Sequence, residues 1–325
     1  MSTRATAGSN ALLRRFPALA DVPCVALTKA PTPVAPLASI SRSLWIKRDD
    51  LSADPLGGNK VRALEFLLAS VKAGDRVVTV GSAGSTHALA VAVYGEKLGA
   101  RVRVGRWRQT MNPTAGVVGE RVAATTERAP IFRSPAEAYV WAWVERLRGA
   151  HWIAAGGSTP LGVLGHVNAG LELVEQIDAG QMPSPRYVAV PLGTGGTAAG
   201  LALAFAIARP EIVVVGARVV PRIVGRRARV MRLARATARL IEEYTGERLP
   251  PLRHDALRVV HEAYGGSYGM ETGESRAAAM RLDDASGVQL DASYSAKGFQ
   301  VALDLAEDAP TLFWLTFDPR TLQVP

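Results

Sequence analysis

Apolar and polar positions alternate along this chain with two periods, and each period marks an element. Leu44-Trp45-Ile46-Lys47-Arg48 reads as a short strand. Val61 to Val71 carries apolar residues at helical spacing. Arg76 to Val80 reads as a strand ending at Gly81, Thr86 to Leu98 as a helix, and Arg101 to Val104 as a strand. Helices follow at 114–124, 135–148 and Leu161 to Ile177, with short strands near Ile131 and Trp152. Tyr187 to Pro191 is a continuous apolar run and predicts a buried strand. A helix over Gly196 to Ala208 and a strand over Ile212 to Gly216 come next. Strands alternating with helices predict an α/β fold, with mostly parallel sheets covered by helices on both faces. The first 30 residues lack such a pattern and read as a loosely ordered arm, leading into the rigid segment Pro31-Thr32-Pro33.

Length and composition narrow the class. The 325 residues suffice for one large or two ordinary domains. With 48% hydrophobic and 21% charged residues the chain reads as globular rather than disordered. No run is apolar and long enough for a membrane span, and Met1 to Arg15 lacks the apolar stretch of a signal peptide. One cysteine, Cys24, leaves no internal disulfide, suits the cytoplasm and reads as structural. The five histidines show no metal-ligand spacing.

The formal charge is +9. Its densest source is Arg218 to Arg239, where arginines at 222, 226, 229, 232, 235 and 239 recur every three or four residues. Ile223, Val230, Leu233, Leu240 and Ile241 fall on another side, which predicts an amphipathic helix with a solvated basic face. No nucleic-acid-binding signature accompanies the charge, so nucleic acid is not expected as a partner.

Lysine usage is informative against that background. There are six lysines against 32 arginines. A lysine retained in such a chain invites chemistry that arginine cannot do, because a desolvated lysine loses its proton and attacks carbonyls. Lys60 follows Gly57-Gly58-Asn59 at the start of an apolar segment, which makes it the candidate Schiff-base lysine.

Three glycine-bearing turns, at 81–85, 156–157 and 193–196, sit where open parallel sheets bind ligands, beyond the carboxyl ends of strands. Gly193-Thr194-Gly195-Gly196-Thr197 lies between a strand and a helix and suits a phosphate cradle, with backbone N–H groups and two hydroxyls as donors. It lacks the P-loop ending. Gly193-x-Gly195-x-x-Ala198, with Arg218 beyond the next strand, also fits a nicotinamide-dinucleotide site. Ser85, Thr86 and His87 form a second polar turn able to receive a carboxylate. The flanks of Ser85 lack a nucleophile elbow, which argues against a serine hydrolase. Tyr268 and Tyr294 both lie in glycine- and serine-rich loops.

Taken in order, these segments resemble one family. Pro31-Thr32-Pro33, Trp45 through Leu51, and Gly57-Gly58-Asn59-Lys60-Val61-Arg62 with Leu64-Glu65-Phe66-Leu67 look like the N-terminal signature of the 1-aminocyclopropane-1-carboxylate deaminase and D-cysteine desulfhydrase family. The likeness continues through 81–87, Ala155 to Ser158, 192–197, Tyr268-Gly269 with Thr272, and Leu290 to Gly298. It implies a two-domain pyridoxal-phosphate fold of type II. A large domain would take 1–57 and 170–325, a small inserted α/β domain 58–169, and the cofactor the cleft between them. It implies a homodimer and a small amino acid as substrate. By resemblance Lys60 would hold the cofactor and shuttle the substrate proton, Asn59 would support the ring oxygen, and Gly193, Thr194, Gly195, Gly196 and Thr197 would hold the phosphate. Ser85, with Thr86 and His87, would bind the substrate carboxylate or assist proton transfer. Tyr268 and Tyr294 would line the substrate side, and Ser295 would face the pyridine nitrogen.

The chain also departs from the family. Thr86 stands where asparagine is usual, and Leu315-Thr316-Phe317-Asp318 where His-Thr-Gly-Gly is frequent. The deaminase proper has glutamate at the position of Ser295. A neutral serine cannot hold a pyridinium proton as a carboxylate does. These features favour β-elimination from a small amino acid such as D-cysteine, giving a 2-oxo acid and ammonia. The alternatives are β-replacement, ring opening, a nicotinamide-dependent oxidoreductase, and a binding protein without catalysis.

Overall fold

The computed structural model describes residues 10–317. Ten strands among these residues form two sheets. The larger contains β1 (Val34–Pro36), β2 (Leu44–Arg48), β7 (Tyr187–Leu192), β8 (Val213–Arg218), β9 (Leu257–Val260) and β10 (Thr311–Leu315). Its spatial order is β1-β2-β10-β7-β8-β9, parallel except for β1 against β2. The smaller sheet is all parallel, in the order β5 (Ile131–Phe132), β4 (Arg101–Trp107), β3 (Arg76–Ser82), β6 (His151–Ile153).

Among the described residues ten α-helices connect and cover these strands: α1 (Ala11–Arg15), α2 (Asn59–Leu67), α3 (Thr86–Lys97), α4 (Pro113–Thr125), α5 (Pro135–Leu147), α6 (Pro160–Asp178), α7 (Gly196–Ala208), α8 (Arg227–Thr245), α9 (Gly273–Ser286) and α10 (Ser295–Ala306). Three of them begin alike. Asn112, Ser134 and Thr159 each cap the helix with a side-chain oxygen, and proline follows at the first helical position. That position needs no N–H donor and favours the φ proline already has. α7 is buried through most of its length, which explains its Ala-Leu-Phe sequence without a polar stripe.

Each sheet has its own core. Val163, Leu164 and Val167 of α6 join β7, β8 and α7 in one cluster, whereas α3 packs with β4 and α4 in another. No described helix is long and apolar enough to cross a membrane.

Three expectations need correction. Within the described residues the N-terminal segment is not a loose arm: Leu12, Phe16 and Leu19 are fully buried in the large core, and Arg14 pairs with Glu175 of α6. The helix after Lys60 ends at Leu67 rather than Val71. The basic helix starts at Arg227, because Arg218 ends β8 and Pro221 opens a turn; Ile223 therefore lies exposed outside the helix. The Met1 to Ser9 part of the signal-peptide reading, and Asp318, lie outside the described residues.

Behind α2 runs a buried ionic network. Lys47 meets Glu172 at 2.6 Å, and Arg62 meets Glu172 at 2.9 Å and Asp49 at 2.6 Å. Trp314 Nε1 donates to Asp49 at 3.1 Å, and the Thr32 backbone N–H donates to Glu172 at 2.8 Å. β2, α2, α6 and β10 are thus held together by charges sealed from water. Burial alone would raise the Glu172 carboxyl, but Arg62 and Lys47 outweigh it and hold it down to about 2.

Candidate active site

The carboxyl ends of β3, β4, β6, β7, β8 and β10 all feed residues into one region, as open parallel sheets favour. It has two connected parts. A narrow cleft is walled by Asn59, Lys60, residues 193–198, Thr316 and Phe317. A cavity of about 400 Å³ adjoins it, and Lys60, Thr86, Gly193, Thr194 and Tyr294 belong to both.

Lys60 stands in the first turn of α2, placed by the two glycines before it. A Cβ on Gly57 would fall 1.7 Å from the Asp50 carbonyl oxygen. Gly58 has φ +110°, and its Cβ would lie 2.3 Å from the Thr316 carbonyl oxygen. The chain passes so close to β10 that only glycine fits, and the Asn59 N–H seals the contact on Thr316 O at 2.9 Å. No carboxylate pairs with Lys60 among the described residues. Burial alone lowers its ammonium to about 8. Two other lysines, Lys47 and Lys297, are more fully buried, but each is satisfied, by Glu172 and by the Tyr264 carbonyl. Lys60, half-buried, is the one of the three left available for chemistry.

The 193–197 loop joins β7 to α7. Gly195, at φ +96°, is the N-cap, and a Cβ there would come within 2.8 Å of Val230. A Cβ on Gly193 would reach to 3.5 Å from Tyr294 Cε1, so the missing side chain leaves the cradle open. The first turn of α7 supplies N–H groups without intrahelical acceptors, together with the positive end of the helix dipole. Thr194 Oγ1 is 2.6 Å from Ser158 Oγ, and Asn59 Nδ2 donates to Thr197 Oγ1 at 2.7 Å. An open anion cradle beside an unpaired, easily deprotonated lysine fits pyridoxal phosphate in both its ionic and its carbonyl group.

Ser85, Thr86 and His87 line the cavity at the start of α3. Ser85 Oγ caps that helix by accepting from the Ala88 N–H at 3.3 Å. His87 is buried, with Nε2 3.3 Å from Thr79 Oγ1, and burial lowers it to about 3. It is therefore a neutral imidazole, not a cation for a carboxylate. Tyr268 and Tyr294 meet edge to face, with ring centroids 5.9 Å apart and hydroxyls hydrogen-bonded. Burial raises both phenols, so both keep their protons.

Ser295 is fully buried at the start of α10, its N–H donating to Asp291, directly after Tyr294 of the cleft wall. Thr316, just past β10, does wall the cleft. Its position beyond an apolar C-terminal strand was the available signal, one that the atypical neighbours Leu315 and Phe317 obscured. His166 lies behind the loop rather than in its lining: it is buried, its Nε2 would lie 3.6 Å from a Cβ on Gly196, and burial holds it neutral, at about 3. Arg218 does not face a nucleotide: its guanidinium donates to His261 and to Val220 O and stacks on Tyr264.

Comparison with known proteins agrees with this geometry. A family model described as "Pyridoxal-phosphate dependent enzyme" matches residues 25–316. The chain is 33% identical to nocardicin C-9' epimerase of Nocardia uniformis subsp. tsuyamanensis, over 92% of this chain and 94% of that one. It is 29% identical to D-cysteine desulfhydrase of Serratia proteamaculans (strain 568), over 91% and 93%. Among solved structures, that of an ACC deaminase homologue superposes with a TM-score of 0.78 at 26% identity, covering 95% of both chains. The chain belongs to the pyridoxal-phosphate dependent enzymes, with the type II fold and pyridoxal phosphate as its cofactor.

Proposed function

We propose that this enzyme removes the α-proton of an amino acid and expels a leaving group from the β-carbon. The carrying observation is Lys60: unpaired, lowered to about 8, and common to the anion cradle and the larger cavity. The 193–197 loop would hold the cofactor phosphate, and Asn59 and Thr316 would flank its ring, Thr316 in place of Ser295. When bound, the cofactor supplies a sink for the electrons left on Cα.

The protein's own groups do the rest. Lys60 Nζ, neutral in part at neutral pH, accepts the Cα proton. The Ser85–His87 turn, with its helix-start N–H groups, orients the substrate carboxylate. The Tyr268–Tyr294 hydroxyl pair stays protonated and donates toward the departing group. The Cβ–S electron pair leaves with the thiolate, and the 2-aminoacrylate left behind takes up one water to give pyruvate and ammonia. No Asp or Glu walls the cleft or the cavity among the described residues, so the lining offers no carboxylate that would hold a proton on the ring nitrogen. That favours elimination over opening a cyclopropane ring. The relatives named as epimerase and as desulfhydrase both fit a site whose common act is proton transfer at Cα.

D-cysteine is the smallest probe. The purified protein loaded with pyridoxal phosphate should release sulfide, pyruvate and ammonia in equal amounts, and Lys60→Ala should release none. A loaded wild-type protein that leaves D-cysteine and every other β-substituted amino acid unchanged would overturn the assignment.

A further inference from the structure

The cavity reaches well past the groups just assigned. Its outer wall comes from four separate segments: Trp107 to Thr110 after β4, Pro135 and Tyr139 at the start of α5, Val220, Pro221 and Val224 after β8, and Arg229 of α8. Gln109 Oε1 accepts from the Gly84 N–H at 3.0 Å and so steadies the turn assigned to the α-carboxylate, but the aromatic, apolar and arginine side chains of this wall have no part in that assignment or in moving a proton at Cα. A volume of about 400 Å³ falls within the usual size of pockets for drug-sized ligands.

Aromatic, apolar and cationic side chains share this outer wall with the polar Gln109 and Thr110. Trp107 and Tyr139 stand with ring centroids 6.3 Å apart and planes at 21°, and Tyr139 meets Trp152 at 6.1 Å. Val220, Pro221 and Val224 add apolar surface. Two arginines, Arg108 and Arg229, line the wall, and neither forms a salt bridge with a carboxylate among the described residues. Arg229 lies close enough to Tyr139 to offset part of the burial that raises its phenol. Elsewhere arginines such as Arg14, Arg103 and Arg253 are paired with acids. Arg108 and Arg229 are both exposed, so Arg229 belongs at once to the solvated basic face of α8 and to the rim of the cavity.

We propose that the outer cavity receives the side chain of a bulky amino acid, with a flat apolar or aromatic body ending in an anionic group. This rests on the Lys60 chemistry proposed above. The aromatic and apolar wall would take the body by stacking and burial. Arg108 and Arg229 would take the anion by charge-assisted hydrogen bonds.

The test compares S-(4-carboxybenzyl)-cysteine with S-benzyl-cysteine and with D-cysteine, both enantiomers of each conjugate, on the loaded enzyme. Release of 2-oxo acid gives kcat/KM, and calorimetry gives Kd independently of turnover. The expected result is a preference of about tenfold or more for the carboxybenzyl over the benzyl conjugate, in both measurements. In the double variant Arg108→Gln, Arg229→Gln that ratio should fall toward one, and the benzyl conjugate serves as each protein's internal control. Turnover of D-cysteine with rejection of both benzyl conjugates would overturn the inference and leave the Lys60 chemistry standing. Equal handling of the two benzyl conjugates would do the same. If nothing is turned over, the Lys60 reading fails, and calorimetry still decides the pocket: arginine-dependent binding of the carboxybenzyl conjugate supports it, and no binding overturns it.

Discussion

Asn59 Nδ2 donates a 2.7 Å hydrogen bond to Thr197 Oγ1, so the residue before Lys60 is fastened to the first turn of α7. The proposed nucleophile and the proposed phosphate cradle come from opposite halves of the sequence, and this bond sets their spacing directly. Asn59→Ala should weaken retention of pyridoxal phosphate by about five- to tenfold, the worth of one buried hydrogen bond, while leaving the visible cofactor band in place at saturation. Equilibrium dialysis against free cofactor measures it. Unchanged retention would mean that the bond is incidental.

Loading should depend on pH through Lys60. Its ammonium is lowered to about 8 by burial, so the neutral amine that attacks a carbonyl accumulates as pH rises through 8 and is scarce below it. Between pH 7 and 9.5 the cofactor phosphate keeps its full charge, its second ionisation lying at about 6. The rate of loading of the apo-protein should therefore rise over this window with a midpoint near 8, followed by stopped-flow absorbance. A midpoint near the ordinary lysine value of 10.5 would show that the amine is solvated.

Gly58→Ala should destabilise the fold by at least about 2 kcal/mol, from a positive φ combined with a Cβ forced onto the Thr316 carbonyl. Urea unfolding of the apo-protein reads this without reference to activity. The same change on an exposed glycine with space around it, such as Gly180→Ala, carries the positive-φ strain without the clash and should cost less.

Glu172→Gln should cost about 3–5 kcal/mol, because it leaves Lys47 and Arg62 buried with one acid fewer between them. The pH dependence follows from the sign of the shift. Glu172 is held down to about 2, below its ordinary 4.5, so its contribution is complete above pH 4.5 and is lost as pH falls toward 2. The variant should lack that part of the acid transition. Thermal melts of both proteins from pH 7 to pH 3 would show the two curves converging.

Much of this was legible because it is local. The glycine pair before Lys60, the 193–197 loop and the Ser85–His87 turn each carry their own backbone requirement, and the structure brings them to one cleft and cavity. Leu12, Phe16 and Leu19 were not legible as core, since their elements are too short to show a period and their burial comes from α6 and α8 packing over them. Thr316 could not be told from Ser295 by composition. Both are small hydroxyl residues in the C-terminal third, and only the insertion of β10 beside β2 puts Thr316 on the cleft wall. The outer cavity was invisible for the same reason, as Trp107, Tyr139, Val224 and Arg229 are adjacent only in space.

The order of strands in the larger sheet also constrains how the protein is made. β10, the last strand among the described residues, lies in the interior of the sheet, paired on one side with β2 and on the other with β7. On the ribosome, β2 and β7 emerge long before the strand that joins them, whereas every strand of the smaller sheet is out by residue 153. The smaller unit can therefore fold during synthesis, but the larger sheet must wait as two unjoined pieces with open edges. Gly58 and Asn59 contact Thr316, so the lysine that follows them reaches its final setting only after residue 316 has been made. Cofactor capture therefore waits for the same strand that closes the larger sheet.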